Sequence, residues 1–354
     1  MISKERVYVT LEHEEPDLVP LTDHIYMQRS LEGILGEKGV RTDTPQKYVK
    51  VHHVLGLDLI CAFPGKLADP SSQNREVEEG ESVDEWGLKH RTIDGMGWYL
   101  EGPIRTVEDA EEYEVPNPFL PWRGETVREI VKLAKDDLAI AAIIGGPFST
   151  GMFLFGFTNY MRTLHTAPSS IQRITEKVAW FQTELGKIVI DMGVDIIWMP
   201  DDLGMKDGPF LSPQAFRKHI FPSMKEMVNT FKNKGVKVLL HCDGQVMALM
   251  DDIVEMGFDG FHPIERKAGM NLELMKARYG DKLTLIGNVD ATYLLPHGTN
   301  EEIKQQVLEC LGIAAHGGGY ILASDHSIHE GVKSSNAKAM FEIARKYRRY
   351  PIRR

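Results

Sequence analysis

Cysteine is scarce: Cys61, Cys242 and Cys310 are the only three in 354 residues, too few and too scattered for a disulfide framework. Positive charge is also in deficit. Forty-one Lys and Arg stand against 51 Asp and Glu, a formal charge of −10, which argues against nucleic acid or an anionic membrane surface as the main partner. No apolar run reaches the roughly eighteen residues a membrane span needs. The opening MISKERVYVTLEHEEPD carries no apolar signal core. Together these absences lead us to expect a cytoplasmic protein that works on small molecules or protein partners.

What is present is core-forming material. At 42% hydrophobic over 354 residues, the chain could build two ordinary domains or one large α/β barrel. Eight apolar runs of strand length recur: VPLTDHI (19–25), LDLICAF (57–63), LAIAAIIGGPF (138–148), VDIIWMPDD (194–202), VKVLLHCDG (236–244), FDGFHPIE (258–265), LTLIGNVD (283–290) and GYILASDH (319–326). Helical patterns such as SSIQRITEKVAWFQTELGKIVIDMG and NEEIKQQVLECLGIAAHGG lie between them and end at glycine, a good helix stop. Apolar strands alternating with helices describe a parallel sheet buried on both faces. Eight units predict one α/β domain over 1–354, a (β/α)8 TIM barrel; an open doubly wound sheet is the alternative. Residues 66–118, rich in charge and turn formers around DGMG, break the alternation. They read as an insertion after strand 2, hairpin-like in part, either a lid over the active face or a plain surface excursion.

In a parallel barrel the reactive side chains collect where the strands end. Here those ends carry Asp23 and His24; Asp201 and Asp202; His241, Cys242 and Asp243; His262 and Glu265; Asn288 and Asp290; Asp325 and His326. A single Asp or Asn after a strand is often a cap or turn former, but the accompanying histidines point to a polar pocket. Strand alternation places His241 and Asp243 on one face and Cys242 on the other. With His326 as a third donor they would make an open three-ligand zinc site; a hydrogen-bonded acid/base pair uses the same atoms. Asp58 reads equally as a structural acid or a ligand contact. Phe148, Phe153, Phe155, Phe157 and Tyr160 read as core or as the wall of a flat ligand.

The ordered set PDLVPL, VDEWG, MPDDLGMKDGPFLSPQAFRKHIFP, LLHCDG, GFDGFHPIE, LIGNVD and GGGYILASDH resembles the uroporphyrinogen decarboxylase superfamily. The resemblance implies a (β/α)8 barrel, commonly a homodimer, in one of two branches. One decarboxylates porphyrinogens without a cofactor; the other moves methyl groups to or from a corrinoid carried by a partner protein. The decarboxylases carry an arginine-rich N-terminal segment for the substrate's carboxylates, whereas VPLTDHIYMQRSLEG holds only Arg29. The methyltransferases carry His-x-Cys-Gly after strand five and a later Cys as zinc ligands. Here His241 matches the histidine, Asp243 stands at the cysteine position, and His326 falls near the late cysteine. The resemblance thus implies a cobalamin-dependent methyltransferase with zinc on His241, Asp243 and His326, Glu265 being the substitute third ligand, and with a methoxylated or similar donor or acceptor. Asp201, Asp202, Asp243 and Glu265 would be its catalytic acids. Asp23, His24, His262, Asn288 and Asp290 would contact substrate. A porphyrinogen decarboxylase and a non-catalytic tetrapyrrole- or metal-binding barrel are the alternatives.

Overall fold

The structure is a computed structural model that describes residues 1–67, 75–78, 80–93 and 96–352. Thirteen strands lie along the described chain: β1 (Leu59–Ala62), β2 (Arg75–Glu78), β3 (Glu81–Val83), β4 (Lys89–Ile93), β5 (Met96–Glu101), β6 (Ala139–Ile143), β7 (Ile196–Pro200), β8 (Gly204–Met205), β9 (Gly208–Pro209), β10 (Lys237–His241), β11 (Gly260–His262), β12 (Thr284–Val289) and β13 (Tyr320–Ser324). Seven of them form one parallel sheet in the order β1-β6-β7-β10-β11-β12-β13. Spatial order equals chain order, so each helical crossover steps to the next position in the same sense and the sheet curls as in a TIM-like barrel.

The expected first strand, 19–25, is the exception. It is an extended segment with a single parallel bridge, Leu21 to Leu322. Pro20 O accepts from Leu322 N at 3.0 Å and Thr22 N donates to Leu322 O at 3.1 Å, while on the other side Asp58 N donates to Leu21 O at 2.8 Å. The segment therefore links β13 to the start of β1. Pro20 has no N–H to give to a ladder, which keeps the pairing short.

Side-chain alternation divides the core in two. Leu59, Cys61, Ala139, Ala141, Ile196, Trp198, Leu239, Ile286, Ile321 and Ala323 face inward and pack with Val7 and Leu11 of the N-terminal helix Ser3–Leu11. Ile60, Ala62, Ile140, Ile197, Met199, Val238, Leu240, Phe261, Leu285 and Leu322 face outward against the helices. A short repeat pins the strand starts. Gly56-Leu57-Asp58, Gly193-Val194-Asp195 and Gly257-Phe258-Asp259 each end a helix and begin a strand. Each carboxylate accepts a backbone N–H from the neighbouring strand or segment, from Leu21 (2.9 Å), Ile140 (2.9 Å) and Val238 (2.8 Å) respectively. An anionic acceptor for an amide that would otherwise be buried unpaired fixes the register.

Between β1 and β6, strands β2 to β5 form a four-stranded antiparallel sheet, so the irregular segment expected at 66–118 is partly ordered β structure. The tip of its expected hairpin, Asp94 and Gly95, lies outside the described residues, as do 68–74 and 79. The sheet docks on the helix Pro147–Phe155 through Tyr99 Oη, which donates to Phe153 O at 2.8 Å.

Candidate active site

At the C-terminal ends of the strands a cavity of about 360 Å³ is lined by His24, Tyr26, Phe63, Ile143, Pro200, Asp202, His241, Asp243, His326 and Ser327. Every lining residue contributed by β1, β6, β7 or β10, or by the residues just after them, has the inward parity of Cys61, Ala141, Trp198 and Leu239. The cavity therefore continues the lumen of the ring above its packed interior. Trp198, fully buried, stands beneath it with its ring centroid 4.3 Å from that of His24. None of the described residues of 75–118 lines the cavity.

A connected polar chain crosses this space. His326 Nδ1 meets Ser327 Oγ at 2.9 Å. His326 Nε2 and His241 Nε2 both lie 3.2 Å from the same oxygen of Asp243, Oδ2. His241 Nδ1 lies 2.7 Å from His262 Nδ1, and the rings of His24 and His241 stack at 4.9 Å. Asp202 Oδ1 accepts the backbone N–H of Asp243 at 3.0 Å and sits 4.0 Å from His241 Nε2. Gly244 turns the chain here with φ of 86°, and a Cβ on it would lie 2.5 Å from the backbone carbon of Gly204, so only glycine fits. Its N–H donates to Glu265 Oε2 at 2.8 Å.

Burial and charge set the protonation. Burial pushes the imidazoles of His24 and His262 well below the usual histidine range, with neighbouring His241 adding to the effect. Burial also acts to lower His241, but the adjacent Asp243 carboxylate outweighs it and the net shift is upward. Burial acts to raise Asp243, and His241 reverses that to a net lowering. Both partners thus describe one ion pair. Asp202 is raised, by burial first, against the attraction of His241.

The sequence-predicted residues separate into two groups. His24, Asp202, His241, Asp243, His262 and His326 come together. The others are engaged in holding the backbone. Asp23 accepts from Ser324 N at 2.9 Å and Ser324 Oγ at 3.0 Å, and burial raises it to about 7. Asp201 points outward and caps the helix Pro147–Phe155, accepting from Phe148 N (3.0 Å) and Ser149 N (2.6 Å). Burial raises it to about 7 as well. Asn288 donates to Ile264 O, and Asp290 Oδ1 accepts from Thr292 N and Tyr293 N in its own turn. Glu265 serves Gly244, and Asp325 accepts from Ala291 N and Arg266 N. Cys242 faces outward, accepting from Leu203 N at 3.2 Å. Asp58 is structural, bound by Arg6, Arg348 and Leu21 N at the opposite end of the strand. Phe148, Phe155 and Tyr160 are buried core, Phe153 and Phe157 are partly exposed, and none of the five lines the cavity. Sequence reasoning missed Tyr26, Phe63, Ile143, Pro200 and Ser327. Counting alternate residues outward from each run would have found the three that follow a strand interior, and would have separated Asp201 from Asp202.

Two sets of three donors have ligand atoms within 4.8 Å of one another among the described residues: Asp202–His241–Asp243 and His24–His241–His262. His326 belongs to neither set, although its Nε2 lies 3.2 Å from Asp243 Oδ2; in the first set Asp202 stands as the donor beside His241 and Asp243. Asp243 Oδ1 is buried without a hydrogen-bond partner. A buried carboxylate oxygen left unpaired beside a neutralisable imidazole fits a divalent cation. Among the described residues no Arg or Lys lines the cavity; Arg29 lies 3.7 Å from Glu330 with its side chain 70% exposed.

Known proteins agree with this architecture. The chain superposes on a methyltransferase from Methanosarcina mazei with a TM-score of 0.76, covering 98% of this chain and 99% of that one at 19% identity. By sequence it is 25% identical over 275 residues to the uroporphyrinogen decarboxylase of Pseudoalteromonas atlantica, 75% of each chain. It is 26% identical over 281 residues to that of Vibrio vulnificus, 75% of this chain and 76% of that one. The family described as Uroporphyrinogen decarboxylase (URO-D) matches residues 83–347, and the chain belongs to that family.

Proposed function

We propose that this member of the family is a corrinoid-dependent methyltransferase, moving a methyl group between a small molecule, methoxylated or similar, and the corrinoid of a partner protein. The observation that carries the reading is the cavity's lining: three histidines and two aspartates and, among the described residues, no Arg or Lys. A porphyrinogen with many carboxylates needs fixed cationic forks; this lining suits a cation or a proton instead. Its volume is in the range of small-molecule sites.

Zinc, held by His241 and Asp243 with Asp202, would supply Lewis-acid polarisation of the heteroatom that leaves the methyl group. The chain's own residues do the rest. When a methyl–heteroatom bond breaks, the electron pair stays on the heteroatom and a proton must meet it. With His241 and Asp243 on the metal, His326, its Nε2 3.2 Å from Asp243 Oδ2, is the residue placed to hold such a proton beside the cavity. Tyr26 and Phe63, ring centroids 6.0 Å apart, supply an apolar wall against which a methylated group packs away from water. The M. mazei methyltransferase shares this fold, which supports the reading. We extend the proposal to a cytoplasmic homodimer.

The sequence relatives favour a second reading, porphyrinogen decarboxylation. The two separate in one experiment: the purified protein is mixed with chemically reduced cob(I)alamin and methoxylated donors, and in parallel with uroporphyrinogen. Loss of the cob(I)alamin absorbance with donor present supports methyl transfer. Coproporphyrinogen formation with no such loss overturns it.

A further inference from the structure

We infer that His262 is a positioning residue: its Nδ1 accepts the Nδ1 proton of His241, and thereby keeps His241 Nε2 directed at Asp243 as the atom that receives a cation or a proton. The inference rests on the reading of His241 as the central donor of the site.

The geometry requires one shared proton between the two rings. Two ring nitrogens 2.7 Å apart must share one proton, since two lone pairs would repel and two N–H groups would collide. His241 and His262 are register partners on the adjacent strands β10 and β11, so the backbone fixes their separation. The His262 ring is held on two sides. Its centroid is 5.0 Å from that of His24 and 5.1 Å from that of Trp198, the latter at 89°. It is fully buried and does not line the cavity, so it does not touch substrate. His241 Nε2 looks the other way, 3.2 Å from Asp243 Oδ2.

A histidine that offers its Nε2 lone pair to a cation carries its remaining proton on Nδ1, and that proton needs an acceptor in a buried place. His262 Nδ1 is in the position to be that acceptor. The proton of His262 then resides on Nε2, an atom buried with no partner. Were the polarity reversed, His241 would hold its proton on Nε2 and present no lone pair toward Asp202 and Asp243.

Cobalt(II) is the probe. It is titrated into chelator-treated wild type, His262→Asn and His262→Leu, with binding read from visible absorbance and chelator competition, and folding checked by circular dichroism. In His262→Asn the amide oxygen takes the place of Nδ1 as acceptor, so affinity stays within about threefold of wild type, whereas His262→Leu weakens it by roughly 10–100-fold. In parallel, nitrogen NMR of metal-free wild type labelled at histidine should show His262 protonated at Nε2 and bare at Nδ1, with His241 protonated at Nδ1. Wild-type cobalt affinity in His262→Leu, or a proton on His262 Nδ1, overturns the inference. If wild type binds no cobalt, the cation reading of the site fails by itself, and the NMR tautomers decide for or against His262. They decide likewise if the Leu variant does not fold.

Discussion

Replacing Asp58 by alanine should cost stability and leave the chemistry alone. Its carboxylate is 1% exposed and accepts from Arg6 Nη1 at 2.6 Å, from Arg348 Nη1 and from Leu21 N at 2.9 Å. These contacts join the N-terminal helix, the segment that links β13 to β1, and the C-terminal tail. After the substitution Arg6 keeps Asp17, and Arg348 keeps Val19 O. Leu21 N–H loses its side-chain partner. Removing one member of a buried ion pair costs about 3–5 kcal/mol because the remaining charge stays buried. With an unfolding entropy of about 2.1 cal/mol/K per residue, about 0.7 kcal/mol/K for this chain, a 4 kcal/mol loss lowers Tm by on the order of 5 °C. Differential scanning calorimetry reads the Tm, and the cob(I)alamin assay at a temperature well below it reads activity. Asp58 lies at the N-terminal end of β1, and the cavity begins at Phe63, past its other end. Residues at the bottom of a barrel serve stability and those at the top serve catalysis. An unchanged Tm with lost methyl transfer would refute this division and return Asp58 to the site.

Elemental analysis of protein purified without chelator should find about one zinc per chain, and His241→Ala should lose both the metal and methyl transfer. An active, metal-free wild type would make His241 and Asp243 an acid/base pair instead. Purified enzyme should not convert uroporphyrinogen to coproporphyrinogen; detectable product by chromatography would contradict the absence of cationic forks. Asp23 sets a pH dependence. Burial raises its folded value to about 7, above the ordinary 3.8, so the folded chain binds this proton more tightly than the unfolded chain. Its contribution is fully present below the unfolded value and is lost as pH rises through about 7. Urea unfolding at several pH values should show wild type losing stability across that window and Asp23→Asn losing less; equal slopes would exclude Asp23 as the source. Asp201→Ala removes the cap of the helix Pro147–Phe155 and should destabilise by about 1–2 kcal/mol in the same assay, with Asp202→Ala affecting activity more than stability.

Much of the architecture was legible because it rests on local rules. Apolar runs of strand length separated by helical periodicity mark seven strands to within a few residues, since a strand buried on both faces must be apolar throughout and a crossover helix must show a repeat of 3.6. The site's location was legible too: polar residues gather where those runs stop. Strand alternation placed Cys242 outside and His241 with Asp243 inside, because side chains alternate whatever the rest of the chain does. What lay beyond local rules depends on contacts distant in sequence. Whether 19–25 forms a full strand was decided by its neighbours Leu322 and Asp58. A carboxylate after a strand looks the same in sequence whether it caps a helix, as Asp201 does for Phe148 and Ser149, or faces the cavity, as Asp202 does. Only the packing of helix against sheet supplies the amide that claims it. His262 is the sharpest case. As a histidine before a proline it reads as a strand-end residue, and it takes part in the site because β11 pairs with β10 in the register that sets its Nδ1 against that of His241. Sequence periodicity dictates which face a side chain occupies; the partner it meets there is chosen by register and closure, which the whole fold determines.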